Sequence, residues 1–505
     1  MKKKYVRWTL WTIASPFILF IILCILIYLP PIQNFLVDKA AVYASEATGM
    51  NISVGRISLS FPLNLVVTNV DAASPHNDTL LSVRRLQVNV QLLPLLKKQV
   101  EVDGISLQGA TVNSNDLIHG MKLNGTLGEL FISSHGVALD PETAIVNKVL
   151  LKDTDLSLCL NDTAAADTAA SDTTYWKIIL QDIDLQNVSF ALDMPLDSLS
   201  LAASLDNAIL RDGLIDLHKS AYSLQTFRIE NGRVRYDNGK PLAADSLSSG
   251  LDPSHIALTD IGVKLDSLYY GGRNMKAIIS QFVLKERSGV EIVSATGRMV
   301  SNDKVLRVPS LKLETRDSYL ELNAAMDWNA LDFKDEGLVS ARLMADIGKP
   351  DVVRFMGSMD EKFIRQYPSE PLRIRTGIDG DLNKLKLTTL TAELPGALGL
   401  FARGELTHLT DSLLRGGDIT LEAETKDLKF VSTLAEGIEI PYGTRLEGKF
   451  TMAGTKMGTD LLLMQPEAQA VVAADTIPIT VYNDSISVAC LLYTSDAADD
   501  RISVD

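Results

Sequence analysis

Gly443, Gly448 and Lys449 stand at the spacing of a phosphate-binding loop, in which backbone N–H groups cradle phosphates and the lysine neutralises them. Phe450 comes next, so the hydroxyl that holds magnesium in such loops is missing. The surrounding sequence alternates like strands and opens no helix, whose N-terminus would supply the anion site. The match reads as coincidence on both counts. Six histidines, His76, His119, His135, His218, His255 and His408, have the chemistry to ligate metal or move protons. None has a His or Cys partner at metal-ligand spacing, and each reads as a loop or surface residue. No Gly-x-Ser-x-Gly elbow occurs. Paired carboxylates such as Asp182 and Asp184 fall at polar positions of alternating stretches, where solvation accounts for them. Cys24 lies in an apolar run, and Cys159 and Cys490 are isolated, so no CxxC or disulfide framework can be read; a Cys159–Cys490 bridge carries little weight. The expectation is a non-enzyme with no catalytic, metal or cofactor-binding residues and no cofactor.

What repeats instead is apolar alternation. From Asn51 onward the period is two, as in Ile52 and Val54, Ile57 and Leu59, and Leu86, Val88 and Val90. That predicts strands with one apolar and one polar face. A local pattern recurs in which the apolar parity changes across a Gly, Asn or Asp. Its centres are Gly109, Asp153, Asn187, Asn231 and Asp260, flanked for example by Ile183 and Leu185 before and Phe190 and Leu192 after. A straight strand would turn its second half to the wrong face. A bulge or bend restores it, and Gly, Asn and Asp tolerate the left-handed geometry such a bend needs. The spacing of the centres is uneven, so this is a loose repeat. Ile105, Leu107, Val149, Leu151, Ile183, Leu185, Phe227, Ile229, Leu258 and Val263 are the candidate lining of the apolar face. Packing against a second sheet would fill an ordinary core with them. An open groove would need an apolar occupant, and acyl chains give about 0.8 kcal/mol per buried CH₂. Alternation alone favours the core.

The elements that would position such a face begin with an anchor. Lys2, Lys3, Lys4 and Arg7 precede an apolar stretch, and no charge occurs between Arg7 and Asp38. Trp8 to Leu29 as a helix reaches about 33 Å, enough to cross a bilayer core. Trp8, Trp11, Ile13, Phe17, Phe20 and Leu29 are its candidate membrane residues. The cationic flank keeps the N-terminus in the cytoplasm and exports the rest. A cleaved signal peptide is the competing reading, but Leu29-Pro30-Pro31-Ile32 is a poor cleavage site. Ile32 to Thr48 spaces its apolar residues as an amphipathic helix, with Gly49 placed to end it. Further on, helices are expected only over Lys349 to Tyr367 and, more briefly, near Phe430–Glu436. Asn161–Thr174 and Gly239–Ser254 read as loops between strands.

Composition narrows the partners. The chain has 505 residues and a formal net charge of −15, with no basic cluster beyond the N-terminus. A nucleic-acid partner needs a cationic footprint, and none is present. Aromatics make up 6%, few for stacking on bases or sugars.

The run "ISVGRISLSFPLNLVVTNV", followed by "LLSVRRLQVNVQLLPLLKKQVEVDGISLQGATV", resembles the AsmA-like superfamily, including the translocation and assembly module (TamB-like) family. Phe61-Pro62, the run Leu92 to Leu96 and the strand with Val100, Val102, Ile105 and Leu107 carry the likeness. Later stretches, "LKLETRDSYLELNAAM" and "LTAELPGALGLFARGEL", look like the repetitive β part of such proteins. The resemblance implies an inner-membrane anchor and an elongated, curved β-sheet groove in the periplasm, β-taco or solenoid-like. It implies acyl chains in the groove, as in bridge-like lipid-transfer proteins, and favours the groove over the core. In that family a C-terminal domain meets an outer-membrane barrel insertase, and no counterpart of that domain is present in this sequence. From Cys490, "CLLYTSDAADDRISVD" breaks the alternation and resembles translated adapter sequence, with a natural polar tail as the other reading.

The expected organisation is a cytoplasmic stub and signal anchor over 1–31, an amphipathic helix over 32–50 and an AsmA-like β region over 51–160. A low-complexity loop over 161–174, a repetitive β groove over 175–348, a helical insertion over 349–368, more β groove over 369–489 and a non-native tail over 490–505 follow. The expected function is support of outer-membrane biogenesis by conducting phospholipids along the groove. The expected protein is single-pass in the inner membrane, with its bulk periplasmic. Its expected partners are phospholipids, the inner membrane and, through the missing C-terminus, the barrel insertase. The alternative is a scaffold for outer-membrane or secreted proteins, whose sheet edge pairs with client strands. A periplasmic binding module with a closed sandwich is a third.

Overall fold

The computed structural model describes residues 39, 41, 42, 45, 46, 48–60, 64–74, 78–90, 102–114, 120–138, 142–161, 175–239, 250–331, 337–356, 361–433, 442–454, 456–464, 475–482 and 485–488. The expected anchor, with Trp8, Trp11, Ile13, Phe17, Phe20 and Leu29, lies outside them, as does the expected tail. Among the described residues no helix is long and apolar enough to cross a membrane. Lys39, Ala41, Val42, Ser45, Glu46 and Thr48 are helical, and Gly49, at φ +69°, follows with its N–H on the Ser45 carbonyl at 2.9 Å. The described chain is mostly β, and its contacts divide it into two units, 1–242 with 253–272 and 243–252 with 273–505.

Unit 1 holds β1 (Asn51–Ser60), β2 (Asn64–Ala73), β3 (Thr79–Val90), β4 (Val102–Asn113), β5 (Met121–Ala138) and β6 (Thr143–Leu160). It continues with β7 (Lys177–Met194), β8 (Leu199–Asp216), β9 (Ala221–Leu224), β10 (Thr226–Asp237) and β11 (His255–Gly271). Each strand pairs with the next, except that β9 and β10 lie end to end between β8 and β11. All these pairs are antiparallel but one: β6 and β7 run parallel. A parallel pair needs a crossover of about a dozen residues or more. Residues 161–176 lie in sequence between the end of β6 and the start of β7, long enough for one.

All five expected bend centres have positive φ, from +49° at Asp153 to +61° at Gly109, with Asn187, Asn231 and Asp260 between. Asn69 in β2 and Asp212 in β8 share the conformation. The bends line up. Each ladder skips one step at the same place, opposing Gly55 to Asn69, Asn69 to Arg84, Arg84 to Gly109, Gly109 to Gly128 and Gly128 to Asp153. The line continues through Asn187 and Asp206 to Asn231. Asn187 donates to Asp153 across it at 2.9 Å, and Asn231 bonds Asp206. Strands approach closely here: a Cβ built on Gly128 would lie 2.8 Å from the Asp153 Cβ. A second line, Asn147–Gln181–Asp212, crosses β6, β7 and β8 nearer their other end.

Unit 2 is an antiparallel meander of β12 (Asn274–Glu286), β13 (Glu291–Ser301), β14 (Val305–Thr315), β15 (Tyr319–Asp327), β16 (Leu338–Ile347) and β17 (Leu372–Asp381). It goes on through β18 (Lys384–Leu394), β19 (Leu398–Thr407), β20 (Gly416–Thr425), β21 (Arg445–Ala453), β22 (Lys456–Met464), β23 (Asp475–Tyr482) and β24 (Ser485–Val488). The single helix expected over Lys349 to Tyr367 is instead two, Lys349–Phe355 and Glu361–Gln366, with the weak helix formers Gly357 and Ser358 between them in sequence. The expected short helix near Phe430 is a 3₁₀ turn, Lys429–Thr433. Phe363, Tyr367, Leu394, Ala397, Leu428 and Phe430 form a buried cluster that joins these elements to the strand ends. Asp351 is 1% exposed. It accepts from the hydroxyls of Thr315 and Ser318, and pairs with Arg354 at 3.1 Å, which fixes the first helix to the β14–β15 turn.

Candidate functional site

The residues with obvious chemistry do not assemble. Gly443, at φ +76°, is a turn residue, and Gly448 and Lys449 lie inside β21 with Lys449 paired to Asp418. Among the described residues no group of three or more His, Cys, Asp or Glu is arranged to hold a metal ion. His255 is buried, with Nε2 3.6 Å from an Asp237 carboxylate oxygen. Cys159 is a free thiol, and Cys490 is outside the described residues. Asp182 and Asp184 are not left to solvent: Arg211 donates to Asp184 at 2.8 Å and also pairs with Asp182. A salt bridge one strand away is invisible to a reading of neighbours in sequence.

The apolar residues do assemble. Strand register places Ile57, Val67, Leu86, Leu107, Leu130, Leu151, Leu185, Ala208, Ile229 and Val263 in one row across ten strands. The next row on that face is Leu59, Leu65, Val88, Ile105, Ile132, Val149, Ile183, Leu210, Phe227 and Leu265. Nine of the ten candidate lining residues fall in these two rows. Leu258 falls across the first bend line, in the row Leu156, Phe190, Ala203, Val234, Leu258. A residue of positive φ breaks strict alternation, which is how apolar residues of changed parity continue one face. The opposite face carries Arg56, Thr68, Arg85, Gln108, Glu129, Lys152, Gln186, Asn207 and Glu230 in a row with no apolar member. Leu130, Ile132 and Leu210 were not singled out from sequence. Leu210 was readable, because Ala208, Leu210, Asp212, Ile215 and Leu217 repeat the bend pattern with alanine as a weak first member.

In the two apolar rows only Ala208 is buried. Beside the third, a recess of about 390 Å³ is lined by Phe190, Ala203, Val234 and Leu258 with their chain neighbours, and Phe190 is 38% exposed. The other residues of the two rows are half-buried and keep part of their surface open to solvent. Ten strands about 4.8 Å apart make a row about 43 Å long, against about 30 Å for the hydrocarbon core of a bilayer. No protein-family model matches the chain, and no curated protein matches it.

Proposed function

We propose that this chain is an inner-membrane-anchored periplasmic protein of AsmA-like type that conducts phospholipids toward the outer membrane. Acyl chains lie along the apolar rows of unit 1, and head groups stay in water at the strand ends. The observation that carries the reading is the apolar face: two uncharged ten-strand rows in which every side chain but Ala208 keeps partial exposure. An exposed face of that size needs an apolar occupant. Each methylene laid on it contributes about 0.8 kcal/mol when fully buried. The role is passive, so direction comes from elsewhere. The scaffold reading requires a sheet edge open to client strands. At β1 that edge is blunted by Gly55 and Arg56 in mid-strand and by Ser45, whose hydroxyl accepts the Ile52 N–H at 3.0 Å.

Photo-crosslinking in cells tests the proposal. Probes at Leu107, Leu185 and Ile229 sit in one apolar row, and probes at Gln108, Gln186 and Glu230 sit in the polar row behind it. Phospholipid adducts confined to the first set are the expected result. Protein adducts there, or none in a folded chain, would replace the groove with a covered core.

A further inference from the structure

Beyond the second bend line the polarity rule of unit 1 changes. Ala144, Ile178 and Ile215 share a row that continues to Tyr222 and Tyr270. The adjacent row, on the opposite face, holds Ile145, Ile179 and Leu214 and continues through Ser223 to Tyr269. Apolar side chains thus stand on both faces here, whereas nearer the first bend line the second face of the same strands alternates polar rows, Lys152, Gln186 and Asn207 and then Lys148, Asp182 and Arg211, with the mixed row Leu150, Asp184 and Ile209. Strands with continuous apolar runs are those buried on both sides.

The tip is also where aromatics collect. Tyr175, Tyr222, Tyr269 and Tyr270 are four of the thirteen tyrosines in the sequence, and Trp176 is one of four tryptophans. The four tyrosines are 40–51% exposed. Tyr222 and Tyr270 stack at 6.3 Å, and Tyr175 meets His218 edge-on at 5.5 Å. Lys177 and Lys219 are exposed beside them. A partner protein, or lipid lying on the main apolar face, would cover one side of this tip. A medium that surrounds it covers both, and Tyr and Trp above an apolar body with lysine at the margin suit the head-group zone of a bilayer.

We propose that this strand end is an interfacial anchor that dips into the surface of a phospholipid bilayer, with Tyr269 and Tyr270 entering on opposite faces. It stands apart from the transport reading, because it does not depend on what the main apolar face carries.

The test places an environment-sensitive fluorophore on cysteine at 222, 269 or 270, with 186 and 230 as controls, in the full chain with Cys24, Cys159 and Cys490 replaced by serine. Vesicles of phosphatidylethanolamine and phosphatidylglycerol, with a nitroxide lipid labelled near the head group, are then added. The expected result is a blue shift and quenching at 269 and 270 alike, with neither at 186 or 230. Quenching at 270 but not 269 would mean a one-sided occupant and overturn the proposal. So would equal quenching at the controls, or none at 269 and 270 in variants with unchanged circular dichroism. The crosslinks at Leu107, Leu185 and Ile229 report the transport reading separately.

Discussion

Unit 1 and unit 2 are built from the same alternating code and spend it differently. Unit 1 has strands up to 18 residues long, bends them along a line of Gly, Asn and Asp, and has no buried hydrophobic cluster among its described residues. Unit 2 has shorter strands, with a buried cluster at each end. One is built on Phe363, Tyr367 and Phe430, the other on Ala330, Val339 and Leu382. Its strands contain no Asn or Asp of positive φ. Stability in unit 2 is thus concentrated in packed side chains. In unit 1 it is spread along backbone ladders beside an apolar face of half-buried side chains.

The largest effect that sharpens this contrast is Phe363→Ala. The ring is 1% exposed and touches Tyr367 and Phe430 at centroid distances of 5.4 and 5.8 Å. Its loss is expected to cost about 3–5 kcal/mol, read by hydrogen exchange in unit 2 peptides. Asp351→Asn comes next. It weakens the bonds from Thr315 and Ser318 and the pair with Arg354, which is 27% exposed, so about 2 kcal/mol is expected. Faster exchange confined to peptides of the β14–β15 turn and helix Lys349–Phe355 would support that anchoring role.

The bend line supplies the next test. Asn187→Val forces a β-branched residue to φ +50°, at an expected cost of about 1–2 kcal/mol, whereas Asn187→Gly is expected to be near neutral. If valine is tolerated as well as glycine, the left-handed geometry is not what joins the two halves of the face. This part of the fold was legible in sequence, because a parity change around Gly, Asn or Asp has one inexpensive solution. The bend at Asn69 was not singled out: Leu65 and Val67 precede it, but Ala72 and Ser74 follow, too weakly apolar to mark the change. Strand direction was not legible either. Alternation is the same read forwards or backwards, and the one signal for the parallel β6–β7 pair is the length of the connection over 161–176. Of the site, the sequence identified one face of alternate strands. Adjacency between Leu107, Leu151, Leu185 and Ile229 came only with register.

Leu185→Ala is the direct counterpart of Phe363→Ala and should cost only about 1 kcal/mol. The side chain is half-buried, and full burial of a leucine contributes about 1.5–3 kcal/mol. A cost equal to that of Phe363→Ala would mean that something covers the face, and the distinction between the units would fall.

The smallest expected effect is a pH dependence that belongs to unit 2. Burial pushes the Tyr367 phenol above the ordinary tyrosine value of 10.0. The folded chain then holds this proton more tightly than the unfolded chain. The contribution is complete below the unfolded value of about 10 and is lost as pH rises through the raised folded value. Alkaline titration should therefore loosen unit 2 peptides around Phe363 and Phe430, and Tyr367→Phe should remove that step while keeping the packing. The step is expected to be small beside the loss from Phe363→Ala. A step of the same size in the Phe variant would assign the alkaline loosening to other groups. It would leave the packed cluster, and not its phenol, as the feature that sets the two units apart.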